Sequence, residues 1–373
     1  MEGKVSNVRE ENDTLYFTLS NVNVCFANSI RRIILSEIET IIFKTMPYNE
    51  NKCTIYENTT KLNNEIIKQR LSCIPIHISD LKTPLNNLLM VLDVSNTDDT
   101  IRIVTTEDFK IKDRSQDKFL PENKVREIFP PYIGPNNSQE YFIDLVKLHP
   151  KISETILGNK IHLECEFSIG KSNDDSMFNV VSTCSYGNSL DDQKINIILQ
   201  EKIKKWKDEG KTKEEMTFEI NNWKTLEAKR IFINNSFDFK IESLGVFENK
   251  DLVKMACNIL QDKSIHLLEE LQSGETPINN SVTTIDNCYD IPIKDKYYEI
   301  GSILNYLIFT DYYNNETQMV SYIGFKKMHP HDDTAVLRIA FENDSNGQTA
   351  IIKMFEDCIK KNVKLFQKID KLF

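Results

Sequence analysis

The stretch "CFANSIRRIILSEIETIIF", residues 25–43, is rich in isoleucine yet carries two adjacent arginines. At the helical period of about 100° per residue, one broad arc of this stretch is apolar. Arg31 falls inside that arc, whereas Arg32 falls on the polar face with Asn28. The pattern predicts one amphipathic helix that ends before the turn at Met46. The apolar arc consists of Ile30, Ile33, Ile34, Leu35, Ile38, Ile41 and Ile42.

The arginine pair admits two interpretations. In the first, Arg31 lays its methylene groups on apolar surface and keeps its charged head in water. In the second, the pair serves an interface, because planar guanidinium groups form bidentate ion pairs with carboxylates. The helical pattern alone does not decide between them, so the rest of the chain has to.

Length and composition describe a folded protein of more than one domain. The chain has 373 residues, of which 40% are hydrophobic and 27% are charged. One hydrophobic core rarely serves so long a chain, so we expect two or three domains. The net charge of -10 disfavours a protein that grips nucleic acid by itself, since phosphate neutralisation supplies most of such affinity.

The sequence predicts no secretion signal, no membrane span and no cysteine-based metal site. The first residues, "MEGKVSNVREENDT", are polar, and charged residues interrupt the longest apolar stretch. The cysteines are scattered, which favours reduced intracellular thiols over a zinc site or a disulfide framework. They are Cys25, Cys53, Cys73, Cys165, Cys184, Cys257, Cys288 and Cys358.

Hydrophobic periodicity predicts a mixture of strands and helices in the first two thirds of the chain. "TLYFTLSNVNV" alternates as a strand does, and short strands and turns follow from Met46 to about Tyr186. Two charged helices are predicted near residues 193–208 and 213–226. "FDFKIESLG" then predicts a strand.

A long amphipathic helix is predicted to begin at Asn249, which serves as its N-cap. The segment "QSGETPINNS", residues 272–281, follows it and has the composition of a linker. The helix carries one apolar stripe, to which Lys263 contributes only its aliphatic stem. The stripe consists of Leu252, Ala256, Ile259, Leu260, Lys263, Leu267 and Leu271.

Beyond the linker the same order of elements begins again. A second Ile/Leu helix spans residues 297–309, and two strands at 319–327 and 334–341 enclose the turn "MHPHDD". A second long amphipathic helix closes the chain. Its apolar stripe consists of Ile352, Phe355, Ile359, Val363, Phe366 and Ile369.

This order is a weak internal repeat in which "ANSIRR" aligns with "GSILNY". Two similar units in one chain predict a pseudo-twofold pair that packs helix against helix. The second copy has Asn305 and Tyr306 where the first has its arginines. This asymmetry favours a role for the arginine pair outside the pseudo-dimer.

The motifs resemble those of a known family. "FTLSNVNVCFANSIRRIILSEIETIIF" closely resembles the N-terminus of the third-largest subunit of eukaryotic RNA polymerase II, and is more distantly similar to its archaeal D-type and bacterial alpha counterparts. "YENTTKLNNEIIKQRLSCIPI", "VTTEDF" and "FDFKIESLGVFENKDLV" resemble later signatures of that family. "EIGSILNYL" and "YIGFKKMHPHDDTAVLRI" are similar to its small partner, the eleventh subunit of the eukaryotic enzyme, whose archaeal counterpart is the L type.

The resemblance implies an α+β fold of two alpha-subunit-like dimerisation units that form an intramolecular pseudo-dimer. The first unit would comprise residues 1–40 and 231–271, and a mainly β domain, residues 41–230, would be inserted in it with the charged helices at its end. Residues 272–281 would link it to the second unit, residues 282–373. The implied pseudo-dimer interface consists of Leu252, Ala256, Ile259, Leu267, Ile352, Phe355, Ile359, Val363 and Phe366.

For function, the resemblance implies a non-catalytic platform on which the two largest, catalytic subunits of a DNA-directed RNA polymerase assemble, together with smaller subunits. Arg31, Arg32 and Asn28 would contact the second-largest subunit. DNA would be reached only through the complex, and no membrane, metal or cofactor is implied.

Two departures from the family bear on these expectations. The two partners are separate chains in cellular organisms but are fused here, as in large cytoplasmic DNA viruses. We therefore expect the host cytoplasm, in viral factories, and packaging in the virion, with the nucleus as the alternative for a non-viral protein. The metal-binding cysteine cluster of some relatives is absent, since Cys53 and Cys73 stand alone, so neither a zinc site nor an iron–sulfur cluster is expected.

Two alternative functions remain open at this stage. The loop His329–Asp333, "HPHDD", offers two histidines and two carboxylates to a metal-dependent hydrolase. Four ligands within five residues rarely converge on one ion, so a turn is the favoured interpretation. The other alternative is a standalone interaction scaffold. The sequence offers no Ser/His/Asp set and no carboxylate cluster of the kind that two-metal nucleotidyl transfer needs.

Overall fold

The computed structural model describes residues 3–134, 139–153, 157–314, 319–343 and 347–373. The helices are α1 (Val24–Ser36), α2 (Asn64–Ser72), α3 (Glu122–Ile128), α4 (Asp192–Asp208), α5 (Lys213–Thr225), α6 (Asn249–Gln272), α7 (Tyr298–Ile308) and α8 (Gly347–Asp370). The strands are β1 (Lys4–Glu11), β2 (Thr14–Ser20), β3 (Glu39–Phe43), β4 (Cys53–Asn58), β5 (Leu88–Ser95), β6 (Arg102–Thr105), β7 (Lys110–Asp113), β8 (Lys118–Phe119), β9 (Tyr132–Ile133), β10 (Glu140–Tyr141), β11 (Asp144–Leu148), β12 (Lys160–Lys171), β13 (Val181–Leu190), β14 (Phe232–Ser243), β15 (Asn279–Asn280), β16 (Cys288–Lys294), β17 (Val320–Lys326) and β18 (Thr334–Phe341).

The chain divides into two compact units. Unit one consists of Met1–Ile34, Thr183–Glu242 and Asn249–Phe373. Unit two consists of Leu35–Ser182 and Ser243–Glu248. Each unit therefore combines segments that are distant in the sequence.

Unit one contains two four-stranded sheets, in the orders β1-β2-β14-β13 and β15-β16-β18-β17. Strand β2 pairs antiparallel with both β1 and β14, and the second sheet is antiparallel throughout. Leu15, Phe17 and Leu19 are buried on one face of β2, which confirms the alternation predicted for this strand. Phe17 stacks on Phe239 of β14, with ring centroids 4.8 Å apart.

The two longest helices, α6 and α8, also belong to unit one and pack against each other. Each has 24 residues and one buried stripe at helical spacing. The two charged helices, α4 and α5, are confirmed with nearly the predicted bounds. They enclose a small core of their own around Leu199 and Trp223.

Unit two is built mainly from strands. Its main sheet has six strands, in the order β3-β12-β5-β7-β8 with β4 also paired to β12, and β6 pairs with β11 and β9 with β10. The long strand β12 alternates between buried and half-buried residues over most of its length, as expected for a central strand with one face on the core. The core of this unit includes Phe43, Ile111, Phe129, Leu163 and Cys165.

The helix predicted over residues 25–43 is wrong in its second half. Helix α1 ends at Ser36, and "ETIIF" forms strand β3, paired antiparallel with β12. The β-branched residues of this segment suit a pleated strand. Hydrophobic periodicity does not separate a helix from a strand here, and the pairing with β12 selects the strand.

The segment "DNCYD", residues 286–290, has the composition of a turn, but Cys288–Asp290 begin strand β16.

The remaining strands and helices of the second repeat are confirmed, including β18 with the predicted bounds.

In the described part of the chain, no helix has the combination of length and apolar character needed to cross a bilayer.

Candidate functional site

Helix α1 begins at a local capping arrangement and buries one broad face. The side-chain oxygen of Asn23 accepts a hydrogen bond of 3.0 Å from the backbone N–H of Cys25, which satisfies a donor of the first turn. The hydroxyl of Ser29 donates to the carbonyl of Cys25 over 2.7 Å. The buried face consists of Phe26, Ala27, Ser29, Ile30, Ile33 and Ile34. The opposite face of α1 carries Asn28 and the two arginines.

Arg31 is held by its own helix. Its Nε and Nη2 atoms donate to Oδ1 of Asn28 over 3.1 and 2.9 Å. Asn28 lies one turn earlier on α1, so the pair fixes the direction of the guanidinium group. Asn28 is half-buried, and the hydrogen-bonded atoms of Arg31 are partly buried. The structure thus brings two of the three predicted partner-binding residues together.

Arg32 forms an ion pair that joins α1 to α7. Its Nε atom donates to Oε1 of Glu299 over 2.6 Å, and its guanidinium carbon lies 5.5 Å from the centroid of the Tyr298 ring. The Glu299 side chain is only 8% exposed, whereas that of Arg32 is 45% exposed. Removing a carboxylate from water costs free energy, and the ion pair with Arg32 offsets that cost for Glu299.

Sequence reasoning missed Glu299. The signal was present, because Glu299 is the only charged residue in the apolar stretch "YYEIGSILNYLIF". A buried acid in such a helix needs a partner, and the first repeat supplies an arginine. No local pattern indicates the distance between these two residues, which lie 267 positions apart.

Helix α7 also approaches its neighbours closely. A Cβ atom at Gly301 would lie 2.5 Å from the Phe325 ring of β17, so a larger residue there would require this ring to move. On the other side, the ring of Tyr306 meets that of Phe26 of α1 edge-on, with centroids 6.1 Å apart. The two helices that the repeat aligns, α1 and α7, are therefore in contact.

Helices α6 and α8 pack against each other along a seam, and the nine residues predicted at the pseudo-dimer interface lie on these two helices. Six of them are buried, and the other three, Ile259, Ile352 and Val363, are half-buried. The six are Leu252, Ala256, Leu267, Phe355, Ile359 and Phe366.

Two polar residues also lie in this seam, and the apolar stripes did not predict them. Nδ2 of Asn362 donates to Oγ of Ser264 over 2.8 Å, and the Ser264 hydroxyl donates to the carbonyl of Leu260. Oδ1 of Asn362 is buried and finds no hydrogen-bond partner within the described segments. Ser264 lies fifteen residues after Asn249, and Asn362 lies fifteen residues after Gly347. Equivalent positions of two 24-residue helices thus meet, as they do where a twofold axis crosses a helix pair.

The end of α6 is anchored by an acidic side chain. Glu270 accepts hydrogen bonds from Lys294 and Lys296 over 2.8 and 2.9 Å and from the Tyr297 hydroxyl over 2.7 Å. Burial opposes ionisation of Glu270, but these three hydrogen bonds outweigh it and lower the pKa to about 2. The contact ties α6 to the last residue of β16 and to the residues that follow this strand.

The His329–Asp333 loop forms a turn held by its own groups. Oδ2 of Asp332 accepts from the backbone N–H of His329 over 2.9 Å, and Nδ1 of His329 accepts from the N–H of His331 over 3.2 Å. Within the residues that the structure describes, no group of three or more His, Cys, Asp or Glu side chains is placed to hold a metal ion. The hydrolase alternative gains no support from this geometry.

Comparison with known proteins identifies a family profile that covers most of the chain. Residues 16–264 match the RNA polymerase Rpb3/Rpb11 dimerisation domain. The chain is 28% identical over 319 residues to a "Conjugation stage-specific protein" of Tetrahymena thermophila, an alignment that covers 74% of this chain and 97% of that protein.

Two RNA polymerase subunits give similar alignments. The DNA-directed RNA polymerase subunit Rpo3 of Methanosphaera stadtmanae is 23% identical over 291 residues, covering 72% of this chain and 98% of Rpo3. The human DNA-directed RNA polymerases I and III subunit RPAC1 is 25% identical over 315 residues, covering 72% of this chain and 85% of RPAC1.

Proposed function

Because the chain belongs to the RNA polymerase Rpb3/Rpb11 dimerisation-domain family, we propose that it is an assembly subunit of a multisubunit DNA-directed RNA polymerase. In this role it nucleates the assembly of the two largest subunits and contributes no catalytic residue of its own. Its similarity to Rpo3 and RPAC1 over most of their lengths supports the proposal.

The pseudo-dimer is the second part of the proposal. Residues 1–40 with 231–271 form one dimerisation domain, residues 282–373 form the other, and residues 41–230 are inserted in the first. The observation that carries this is the meeting of Ser264 and Asn362 at equivalent positions of α6 and α8. Each helix accompanies a four-stranded sheet and a shorter helix, α1 or α7, and the first of these sheets takes β13 from the inserted segment.

The range of residues that the family match covers supports a fused second domain. The match ends at residue 264, before β15–β18, α7 and α8. The Rpo3 alignment covers 98% of that protein but only 72% of this chain. Residues 265–373 lie beyond the family match and have the length of a small domain.

Docking to the second-largest subunit is the third part, and it uses Asn28, Arg31 and Arg32. The support is the fixed guanidinium group of Arg31 and the 45% exposure of Arg32. Removing one member of a desolvated charge pair at an interface costs about 2–5 kcal/mol. The double change Arg31→Ala, Arg32→Ala should therefore deplete the second-largest subunit from the purified complex. Glu299→Gln, which alters the internal ion pair but leaves both arginines, is the control and should retain that subunit.

The assembly role is tested by purifying the tagged chain from its native source. The two largest polymerase subunits should be recovered in equal amounts with it, and the complex should incorporate nucleotides under the direction of a DNA template. The isolated chain should be inactive. Activity of the isolated chain would contradict the non-catalytic role, and recovery without the large subunits would favour the standalone scaffold.

The fused arrangement also leads us to propose a viral, cytoplasmic setting. Immunofluorescence in the native source should place the chain in cytoplasmic factories, and purified virions should contain it. An exclusively nuclear signal would contradict this part and leave the assembly role standing.

A further inference from the structure

Unit two contains a cavity of about 360 Å³ that lies between α3, β8 and the segment leading into β7. Four of its eleven lining residues are phenylalanines. Phe109 and Phe129 form its buried floor and meet edge-to-face, with ring centroids 5.2 Å apart. A floor of this kind favours an aromatic or aliphatic group over a polar one. The apolar lining consists of Phe109, Phe119, Leu120, Val125, Phe129 and Phe142.

Exposed apolar side chains lie at the cavity and next to its lining residues in the sequence. The Phe119 side chain lines the cavity yet is 55% exposed, and Phe142 lies between exposed Tyr141 and Ile143. Tyr141 faces exposed Tyr132 at 6.5 Å between ring centroids. Exposed apolar surface at a cavity marks an interaction site, and the anchor side chain of a polypeptide would cover Phe119 as well as fill the cavity.

Arg126 lines the cavity and is held there by a carboxylate and an aromatic ring. Its Nη2 atom donates to Glu140 over 2.5 Å, and its guanidinium carbon lies 5.3 Å from the centroid of the Phe142 ring. Its Nε atom is buried and has no hydrogen-bond partner in the part of the chain that the structure describes.

The charges at the cavity favour a cation. Its lining includes the side chains of Glu107, Lys110 and Glu122, all exposed, and none of these three forms an ion pair with another described residue. Glu140 compensates the charge of Arg126. Two carboxylates therefore face one ammonium group, and a basic side chain on the occupant would meet a net negative rim.

We propose that this cavity binds a partner polypeptide through one aromatic anchor residue that is flanked by lysine or arginine. The anchor ring packs on Phe109 and Phe129, as an interface hot spot fills a pocket. The flanking cation lies near Glu107 and Glu122. This inference rests on unit two alone and does not depend on the polymerase assignment.

The test titrates the full chain with three capped tripeptides: acetyl-Lys-Trp-Lys-amide, acetyl-Glu-Trp-Glu-amide and acetyl-Lys-Ala-Lys-amide. The first should bind saturably, and the second should bind about tenfold more weakly because its charges have the wrong sign. The third should not bind measurably, since it lacks the anchor. Isothermal titration calorimetry measures all three.

Two matched variants locate the binding. Phe119→Asp should abolish binding of the lysine-flanked Trp peptide, whereas Phe218→Asp, on the exposed side of α5, should leave it unchanged. Both side chains are exposed, so neither change should alter thermal unfolding by more than a few degrees.

Three results would overturn the proposal. The first is no saturable binding of acetyl-Lys-Trp-Lys-amide, and the second is equal loss of binding in both variants. The third is binding of acetyl-tryptophan-amide as tight as that of the tripeptide, which would make the cavity a small-molecule site.

Discussion

The side-chain amide of Asn362 on α8 donates a hydrogen bond of 2.8 Å to the hydroxyl of Ser264 on α6, inside an otherwise apolar seam. The two residues occupy equivalent positions in their helices but are chemically different. A single polar contact in a helix seam fixes the register of the pair, at a cost in stability. A serine on one helix and an asparagine on the other also distinguish the two halves of the seam from each other.

We expect Asn362→Leu to leave the free energy of unfolding unchanged or to raise it by up to about 2 kcal/mol. The change removes the unpartnered carbonyl oxygen, and Ser264 keeps its hydrogen bond to Leu260. Asn362→Asp, of nearly the same size, should instead lower the free energy by about 3 kcal/mol or more because it buries an unpaired carboxylate. Urea unfolding measures both. A larger loss for leucine than for aspartate would show that the amide itself holds the seam.

The ion pair between Arg32 and Glu299 makes a second prediction. Arg32→Ala should lower the free energy of unfolding by about 1–3 kcal/mol, because it leaves the buried Glu299 carboxylate without its cation. Adding Glu299→Gln should recover part of that loss. Arg31→Ala is the matched comparison and should cost less, since Arg31 bonds to the side chain of Asn28 on its own helix.

The relevant measurement is a double-mutant cycle for Arg32 and Glu299 by urea unfolding. A coupling free energy close to zero would mean that the contact contributes nothing to the stability of the fold. The cycle also shows how much of any assembly defect comes from lost stability of the chain. The remainder comes from a lost contact with the partner subunit.

Glu270 makes the stability of unit one depend on pH in the acid range. Its pKa is lowered from 4.5 to about 2 in the folded chain, so the folded state favours the ionised carboxylate. The resulting stabilisation is fully present above the unfolded value of 4.5 and is lost as the pH falls through the folded value of about 2. Glu270→Gln should therefore be less stable than the unchanged chain near neutral pH, and the difference should shrink below the unfolded pKa.

Urea unfolding at neutral pH and at about pH 3 tests this dependence. The neighbouring Glu269 is exposed, so Glu269→Gln is the control and should change stability by less than about 0.5 kcal/mol. A difference between Glu270→Gln and the unchanged chain that stays constant across this range would contradict the assigned role of the carboxylate.

The predicted linker, residues 272–281, includes the last residue of α6 and strand β15, so a cut within residues 273–278 tests the packing of α6 on α8. A protease site inserted there should leave the two pieces together on a sizing column at micromolar concentration. An obligate apolar interface of this kind buries about 2,000 Å² or more, whereas the linker contributes only effective concentration. Pieces that separate into compact monomers would contradict the pseudo-dimer.

The matching disruption is Phe355→Asp with Ile359→Asp, which puts two unpaired carboxylates into the seam at a cost of several kcal/mol each. After cleavage this variant should separate, or it should fail to fold beforehand. Lys353→Asp, on the exposed side of α8, is the control and should remain associated.

Most secondary structure followed from the sequence, because period and composition are local properties. Strand β18 has the predicted bounds, and α4, α5, α6 and α7 begin or end within about two residues of the prediction. The family was also recognisable from short motifs, and the match over residues 16–264 confirms that resemblance.

Tertiary structure decided the rest, since it depends on pairs that no local pattern links. The isoleucines of residues 38–43 fit a helix by period, but pairing with β12 makes "ETIIF" a strand. Arg32 meets Glu299 only because α1 and α7 pack together, and Ser264 meets Asn362 only because α6 and α8 do. The sequence by itself determined which faces are apolar. Burial and packing determined which polar groups on those faces become partners, because a buried charge or amide is stable only where another chain segment satisfies it.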